Sequence, residues 1–193
     1  MIPRRAVSLS LLAAACASPS PALYTLDAPP GPVRRGAPRT IELRTIGLAR
    51  YLERSQIVRS TENYRLDVFP NDWWGEPLDA MLGRVLIRAL SQRLPGSTIY
   101  LENGAISAEP EATIQVNVQR MDQDARRDIR LIAQFSVRRA AADTRAAGTR
   151  GADTRGATIQ VPVSGPGPRD LVAGMSEAVG QLADRIAAAL ALG

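Results

Sequence analysis

The sequence predicts an α+β fold in which an antiparallel sheet carries two amphipathic helices on one face. Three segments, 112–121, Asp128–Arg139 and 157–163, alternate apolar and polar residues with the period of two that is typical of half-buried strands. Two others, 78–94 and 168–190, repeat apolar residues every three or four positions, as helices with one buried face do. A sheet whose strands have one polar and one apolar face buries only the apolar face, and here the two helices would cover it. This arrangement is the α+β class.

The first residues have the pattern of an export signal. Arg4 and Arg5 precede an apolar run that is too short to span a membrane, and small residues lead to Cys16, the one cysteine of the chain. We therefore predict a lipoprotein signal peptide over residues 1–15 and lipid attachment at Cys16. The alternative is an ordinary signal peptide that is cut at an alanine, with Cys16 incidental.

Residues 16–39 are predicted to form a proline-rich tether that follows the lipidated cysteine. Six prolines lie between Ser, Ala and Gly, a composition that favours extended chain over a packed core. At about 3.1 Å per residue, such a tether reaches at most roughly 70 Å from the bilayer. Residues 23–26 are apolar enough to dock onto the domain instead, which would shorten that reach. The folded domain is predicted to cover residues 40–191.

The domain is predicted to begin with short strands and to contain one long loop. Strand candidates lie at residues 40–46, 56–59 and 64–69, with a polar turn at 60–63, and Thr98–Leu101 follows the first helix. The first helix has Pro77 at its start, where a missing N–H costs nothing. Residues 140–156 repeat Ala-Asp-Thr-Arg and are predicted to form a low-complexity loop between two strands.

Aromatic residues are concentrated in residues 51–74, shortly before the first helix, where five of the eight occur. Trp73 and Trp74 are neighbours, and neighbouring residues of a strand point to opposite faces. We predict that one ring packs in the core and that the other is partly exposed. The exposed ring, with Tyr51 and Arg54, is predicted to form a partner-contact patch, since these residue types are enriched at binding hot spots. The alternative for Arg54 is an ion pair with a nearby glutamate.

The composition argues against catalysis and against a cofactor. The chain has no histidine and no lysine, so the ordinary catalytic triads, most zinc sites, Schiff bases and a phosphate-loop lysine are all missing. Asp122, Asp124 and Asp128 superficially resemble a calcium loop, but Arg127 stands where such a loop needs glycine. No metal site is predicted. The formal net charge is +5, but the arginines are interspersed with acidic residues along the chain, which disfavours a nucleic-acid partner.

Three phrases resemble the ABC-type transport auxiliary lipoproteins, the paraquat-inducible C-type group. Residues 51–58 are similar to the family phrase YLDRPQIV, residues 74–78 to WAEPL at a helix start, and Tyr24-Thr25-Leu26 follows the cysteine as in that family. The chain departs from these phrases at three positions by mild changes: Glu53 for aspartate, Ser55 for proline and Gly75 for alanine.

The resemblance implies a non-catalytic envelope lipoprotein that accompanies an MCE-type lipid-transport system. Its expected partner is an MCE-domain protein, and a homo-oligomer is expected. Ala17 stands where an aspartate would signal inner-membrane retention in typical lipoproteins, which implies anchoring in the outer membrane with the domain in the periplasm. Two alternatives are an envelope-assembly lipoprotein that binds an outer-membrane barrel or a glycan, and a lipid-anchored hydrolase.

Overall fold

Two β-sheets and two helices make up the fold. The computed structural model describes residues 20–62, 65–105, 108–124, 126–140 and 152–192. The helices are α1, Leu78–Arg93, and α2, Pro168–Ala191, and a short 3-10 turn covers Arg50–Leu52. The strands, in chain order, are β1 Ala22–Tyr24, β2 Thr40–Leu43, β3 Gly47–Leu48, β4 Gln56–Glu62, β5 Arg65–Trp74, β6 Thr98–Leu101, β7 Ala112–Gln123, β8 Asp128–Arg139 and β9 Asp153–Pro162.

The large sheet is mixed in strand direction. Its order is β6-β2-β7-β8-β9, with β3 also paired to β7. Strands β7, β8 and β9 are antiparallel neighbours, as their alternation predicts, but β2 runs parallel to both β6 and β7. The α+β class with two helices against the sheet is therefore confirmed. The sheet differs from the purely antiparallel prediction because β2 pairs with strands far ahead in the chain, and alternation carries no information on strand direction.

A second, smaller sheet has the order β1-β5-β4. Here β1 runs parallel to β5, while β4 and β5 form an antiparallel pair with two register shifts. Both β4 and β5 are longer than predicted, so the connection between them is shorter than the predicted turn at 60–63. Through the β1–β5 pair, the small sheet brings the N-terminal strand beside the end of β5, directly before α1.

The core lies between the large sheet and the two helices. The inward residues of β7 and β8 that alternation identifies are all buried: Ile114, Val116, Val118, Ile129, Leu131, Ala133, Phe135 and Val137. The predicted stripes of α1 and α2 are buried as well, including Leu82, Leu86, Met175, Val179 and Ile186. Helix and sheet approach closely at Gly174, where a Cβ would lie 2.8 Å from Cγ1 of Ile129. A larger residue at this position would push α2 away from the sheet.

Strand β9 forms one edge of the large sheet. It begins at Asp153, inside the predicted loop 140–156, so that loop is shorter than predicted; residues 141–151 lie outside the described residues. The guanidinium of Arg185, on α2, donates to the backbone carbonyl of Thr158 at 3.0 Å. One outward backbone acceptor of this edge is thereby occupied by the chain itself.

The N-terminal strap, residues 25–37, crosses the outer side of both helices. Leu26 is 1% exposed, and the backbone N–H of Asp27 donates to Oγ of Ser176 on α2 at 3.1 Å. Gly31 exchanges hydrogen bonds with the Gln92 side chain on α1 through both its N–H and its carbonyl. The docking alternative for residues 23–26 therefore describes the structure, and the docked segment extends from Ala22 through the strap. Residues 1–15 and Cys16 lie outside the described residues.

Arg93 joins the strap to both helices. Its side chain is 1% exposed, and its guanidinium contacts the carboxylate of Asp184 on α2 at 2.5 Å. It also donates to the carbonyls of Ala89, Gly180 and Pro29 at 3.1–3.2 Å. A buried charge is tolerated only when it is paired and hydrogen-bonded, and these acceptors come from three separate parts of the chain.

Replacing Arg93 by alanine is expected to lower the free energy of unfolding by about 3 kcal/mol or more, because Asp184 and three carbonyls lose their donor. The matched control is Arg88→Ala, on the same helix as Arg93. It removes an exposed ion pair between Arg88 and Asp27 of the strap, and it should lower the free energy of unfolding by less than about 1 kcal/mol. Urea unfolding midpoints measure both. Equal midpoints for the two variants would mean that the buried Arg93 network adds no more stability than an exposed ion pair.

Candidate functional site

The three phrases that resemble the lipoprotein family meet at one place, the phrase junction, made of residues 23–26, 51–58 and 73–78. Tyr24 is the register partner of Trp74 in the parallel β1–β5 pair, and Gln56 is the partner of Trp73 in the β4–β5 pair. The backbone N–H of Trp74 donates to the carbonyl of Ser55 at 2.7 Å, and that of Gly75 donates to the carbonyl of Tyr24 at 2.9 Å. Segments far apart in sequence thus share one hydrogen-bonded unit.

The junction is tied to the start of α1 by side chains. Arg84 forms an ion pair with Glu76 and also donates to Oγ1 of Thr25 at 3.0 Å. The backbone N–H of Leu26 lies 3.3 Å from the sulfur of Met81. Because Glu76 precedes α1, its negative charge also lies near the positive end of the helix dipole.

The two tryptophans differ in burial, as expected for neighbouring strand residues that point to opposite faces. Trp74 is 6% exposed and belongs to the core, whereas Trp73 is half-buried. The indole N–H of Trp73 donates to the carbonyl of Pro70 at 3.1 Å, so the polar edge of its ring already has an acceptor. Trp74 is therefore not available to a partner, and Trp73 remains a candidate contact residue.

Tyr51 belongs to a hydrogen-bonded cluster and is partly buried. Its hydroxyl donates to the carboxylate of Asp122 at 2.7 Å, and Arg120 donates to the same carboxylate at 2.7 Å and 2.9 Å. Asp122 is 2% exposed. A β-bulge between Val118 and Arg120 shifts the alternation of β7, which turns both Arg120 and Asp122 away from the helices. Burial, and then the hydrogen bond to Asp122, raises the pKa of Tyr51 above its ordinary value.

Arg54 is exposed at the surface of the junction. The two glutamates that could have paired with it do not do so: Glu76 pairs with Arg84, and Glu53 is exposed without an ion pair among the described residues. Of the four predicted patch residues, Trp74 is buried, Tyr51 and Trp73 are partly buried, and Arg54 is exposed. Their binding of a partner stays a prediction.

The acidic residues near β7 and β8 form a turn. Oδ1 of Asp124 accepts the backbone N–H groups of Arg126 and Asp128, and Arg127 adopts a positive φ of 68°. Within the described part of the chain, no group of three His, Cys, Asp or Glu side chains is placed to hold a metal ion.

The uncovered face of the large sheet carries a shallow depression of about 230 Å³, lined by polar side chains such as Gln115, Asn117 and Gln134. This volume is below that of typical small-molecule sites.

Comparison with known proteins decides the family. Residues 24–187 match the model of the ABC-type transport auxiliary lipoprotein component. The chain belongs to this family. The match begins at Tyr24, in β1, which agrees with a domain that includes the strand and the strap. No curated protein matches the chain.

Two crystal structures share the fold. An uncharacterised protein is similar with a TM-score of 0.72 and 16% identity, over 89% of this chain and 99% of that one. A Xanthomonas campestris protein of the DUF330 family is similar with a TM-score of 0.70 and 15% identity, over 90% of this chain and 95% of that one. At these identities the likeness supports the fold alone.

The family places this auxiliary lipoprotein in an ABC-type transport system, as an auxiliary component of a generally non-catalytic family. In the described residues, neither helix is long and apolar enough to cross a membrane. The phrases that identify the family are thus the same residues that the structure brings together at the junction.

Two functional features were missed by reasoning from sequence. Leu23 lies beside Trp73 and is 67% exposed, but the sequence indicates only that residues 23–26 can dock. Arg120 and Asp122 were not linked to Tyr51. The signal for this cluster is the break in the alternation of β7 at Arg120, where a charged residue stands at a position that strict alternation would bury.

Replacing Tyr51 by phenylalanine is expected to change how stability depends on alkaline pH. Since the folded pKa of Tyr51 is raised above 10.0, its contribution to the free energy of unfolding is complete below that pH and is lost as pH rises through the folded pKa. With no lysine in the chain, tyrosines dominate this range, and the pKa values of Tyr24 and Tyr100 are raised as well. Urea midpoints between about pH 9 and 11 should fall less steeply for the variant than for the wild type.

The same variant should be less stable at neutral pH by about 1–2 kcal/mol, because Asp122 loses one of its donors while remaining buried. A second set of midpoints at neutral pH measures this. Parallel pH profiles for Tyr51→Phe and the wild type would show that the Tyr51–Asp122 hydrogen bond is not kept in solution.

Proposed function

We propose that this auxiliary lipoprotein is the outer-membrane-anchored, periplasmic accessory component of an MCE-type lipid-transport system. Cys16 carries the lipid anchor, and the domain holds other components of the system in place without catalysing a reaction. Its direct partner is the MCE-domain protein of that system, and the lipoprotein acts as a homo-oligomer.

The observation that carries this proposal is the phrase junction. The residues that resemble the paraquat-inducible C-type group, and not only the fold, come together in one unit whose accessible members include Arg54 and Trp73. Arginine and tryptophan are the residue types that most often dominate binding energy at protein interfaces. The absence of histidine and lysine from the sequence also supports a role in holding rather than in chemistry.

The partner is tested by co-purification of the full-length chain, solubilised in mild detergent, with the cognate MCE-domain protein. We expect a complex, and we expect Arg54→Ala to weaken it by about tenfold in Kd because a hot-spot arginine is lost. Arg138→Ala is the matched control, since Arg138 is an exposed arginine on β8 whose register partner, Thr113, lies outside the junction. Its affinity should equal that of the wild type.

Genetics tests the same proposal independently. Deleting the lipoprotein gene should produce the outer-membrane barrier defect of the MCE deletion, and the double deletion should be no worse than either single one. Failure to bind, together with additive defects, would contradict the proposal. Recovery of an outer-membrane barrel or a glycan in place of the MCE protein would favour the envelope-assembly role.

The anchor is tested by Cys16→Ser. Without the sulfur there is no site for acyl chains, so the variant should remain uncleaved or be released in soluble form. Intact-mass measurement and a carbonate wash of the membranes report acylation and anchoring respectively. Equal retention of wild type and variant, with no added mass on the wild type, would rule out Cys16 as the attachment site.

A further inference from the structure

Leu23 and Trp73 form a small apolar surface, the Leu23–Trp73 patch, on the outer face of the small sheet. They are register partners in the parallel β1–β5 pair, so their side chains lie on the same face, opposite to the face that buries Trp74. Leu23 is 67% exposed, and Trp73 is half-buried. Because the Trp73 indole N–H is already bonded to Pro70, the exposed part of the ring can leave water without losing a hydrogen bond.

The patch is close in sequence to the proposed anchor. Leu23 is seven residues after Cys16, and a fully extended chain spans at most about 3.5 Å per residue, or about 25 Å in all. The strap beyond Leu23 is docked on the helices, so it adds nothing to this reach. An acylated Cys16 would therefore hold the patch within roughly 25 Å of its own bilayer, against the roughly 70 Å expected of a free tether.

We propose that Leu23 and Trp73 lie in the interfacial layer of the same membrane that holds the Cys16 anchor. The inference rests on the lipid anchor in the proposed function. Tryptophan is enriched at membrane interfaces, where an apolar ring meets polar headgroups. Two side chains bind weakly by themselves, but the anchor supplies a high local concentration of lipid, and a second attachment makes membrane binding stable. The small sheet then rests on the bilayer through Trp73, and Arg54 is left as the junction residue that contacts the protein partner.

Two observations favour a bilayer over a second copy of the chain or an anionic surface. A stable protein interface buries roughly 800 Å² per partner, which is far more than two side chains can supply. The charges along the small sheet have both signs, since Arg59 of β4 pairs with Asp67 of β5. The patch is therefore expected to bind uncharged lipid, without a requirement for anionic headgroups.

Trp73 itself reports on the contact. The acylated full-length protein is placed in phosphatidylcholine vesicles, with or without lipids brominated near the headgroup, which quench tryptophan at short range. The Trp74→Phe variant leaves Trp73 as the one tryptophan, and Trp73→Phe leaves Trp74. We expect Trp73 emission to fall by about half in brominated vesicles, as for other interfacial rings, and Trp74 emission to stay unchanged.

Substitutions identify the patch. Leu23→Asp should abolish the quenching of Trp73, while Leu192→Asp should leave it unchanged. Leu192 is 76% exposed but follows the C-terminus of α2, whereas Arg169 at the N-terminus of this helix contacts Tyr24. Arg169 and Leu192 lie at opposite ends of a helix about 36 Å long, so the control is at the end of α2 away from Tyr24. The wild type should show partial quenching, and Trp73→Phe should show none. This comparison also locates the membrane contact at Trp73, and it does not require Trp74→Phe to fold.

Intact mass and vesicle flotation are recorded on the same samples, which separates the two levels of the argument. An acylated, vesicle-bound protein whose Trp73 is not quenched would overturn the membrane contact and leave the anchor intact. A chain without added mass that does not float would overturn both. A blue shift of Trp73 that depends on protein concentration and not on lipid would assign the patch to contact between copies.

Discussion

The buried guanidinium of Arg93 is the interaction on which the arrangement of the domain depends. It is almost inaccessible to water, and its acceptors come from α1, α2 and the strap. A Cβ at Gly31 would lie 2.2 Å from this guanidinium, so the strap must present its backbone at that point. A charge that needs all these acceptors at once excludes arrangements in which the strap or a helix shifts, and the ends of β1 and β5 are positioned as a consequence.

The sequence could predict the parts of the fold that repeat locally. Strand β8 and the stripe of α2 follow directly from periodicity, because each buries one face against a single neighbouring layer. It could not predict the parallel pairing of β2 or the docking of the strap. Residues 25–37 are rich in proline and lack a period, and their order comes from single hydrogen bonds to side chains such as Gln92 and Ser176, which no pattern encodes.

The same distinction applies at the phrase junction. Neighbouring tryptophans on a strand predict one buried and one accessible ring, and Trp74 and Trp73 follow that rule. The rule does not predict that the Tyr51 hydroxyl is bonded to Asp122, which a bulge some seventy residues later in the chain turns towards it. Short phrases near the N-terminus therefore identify a structural unit whose individual roles depend on residues that the phrases do not contain.

The position of Arg93 also sets an order for folding. The β7–β8 and β8–β9 pairings join strands that are adjacent in sequence and can form early, whereas the strap needs a site completed by Gly180, on the last helix. The beginning of the domain is consequently the last part to be locked in place, although it leaves the ribosome first. Until α2 has folded, the strap lacks its partners Ser176 and Gly180 and remains accessible to solvent.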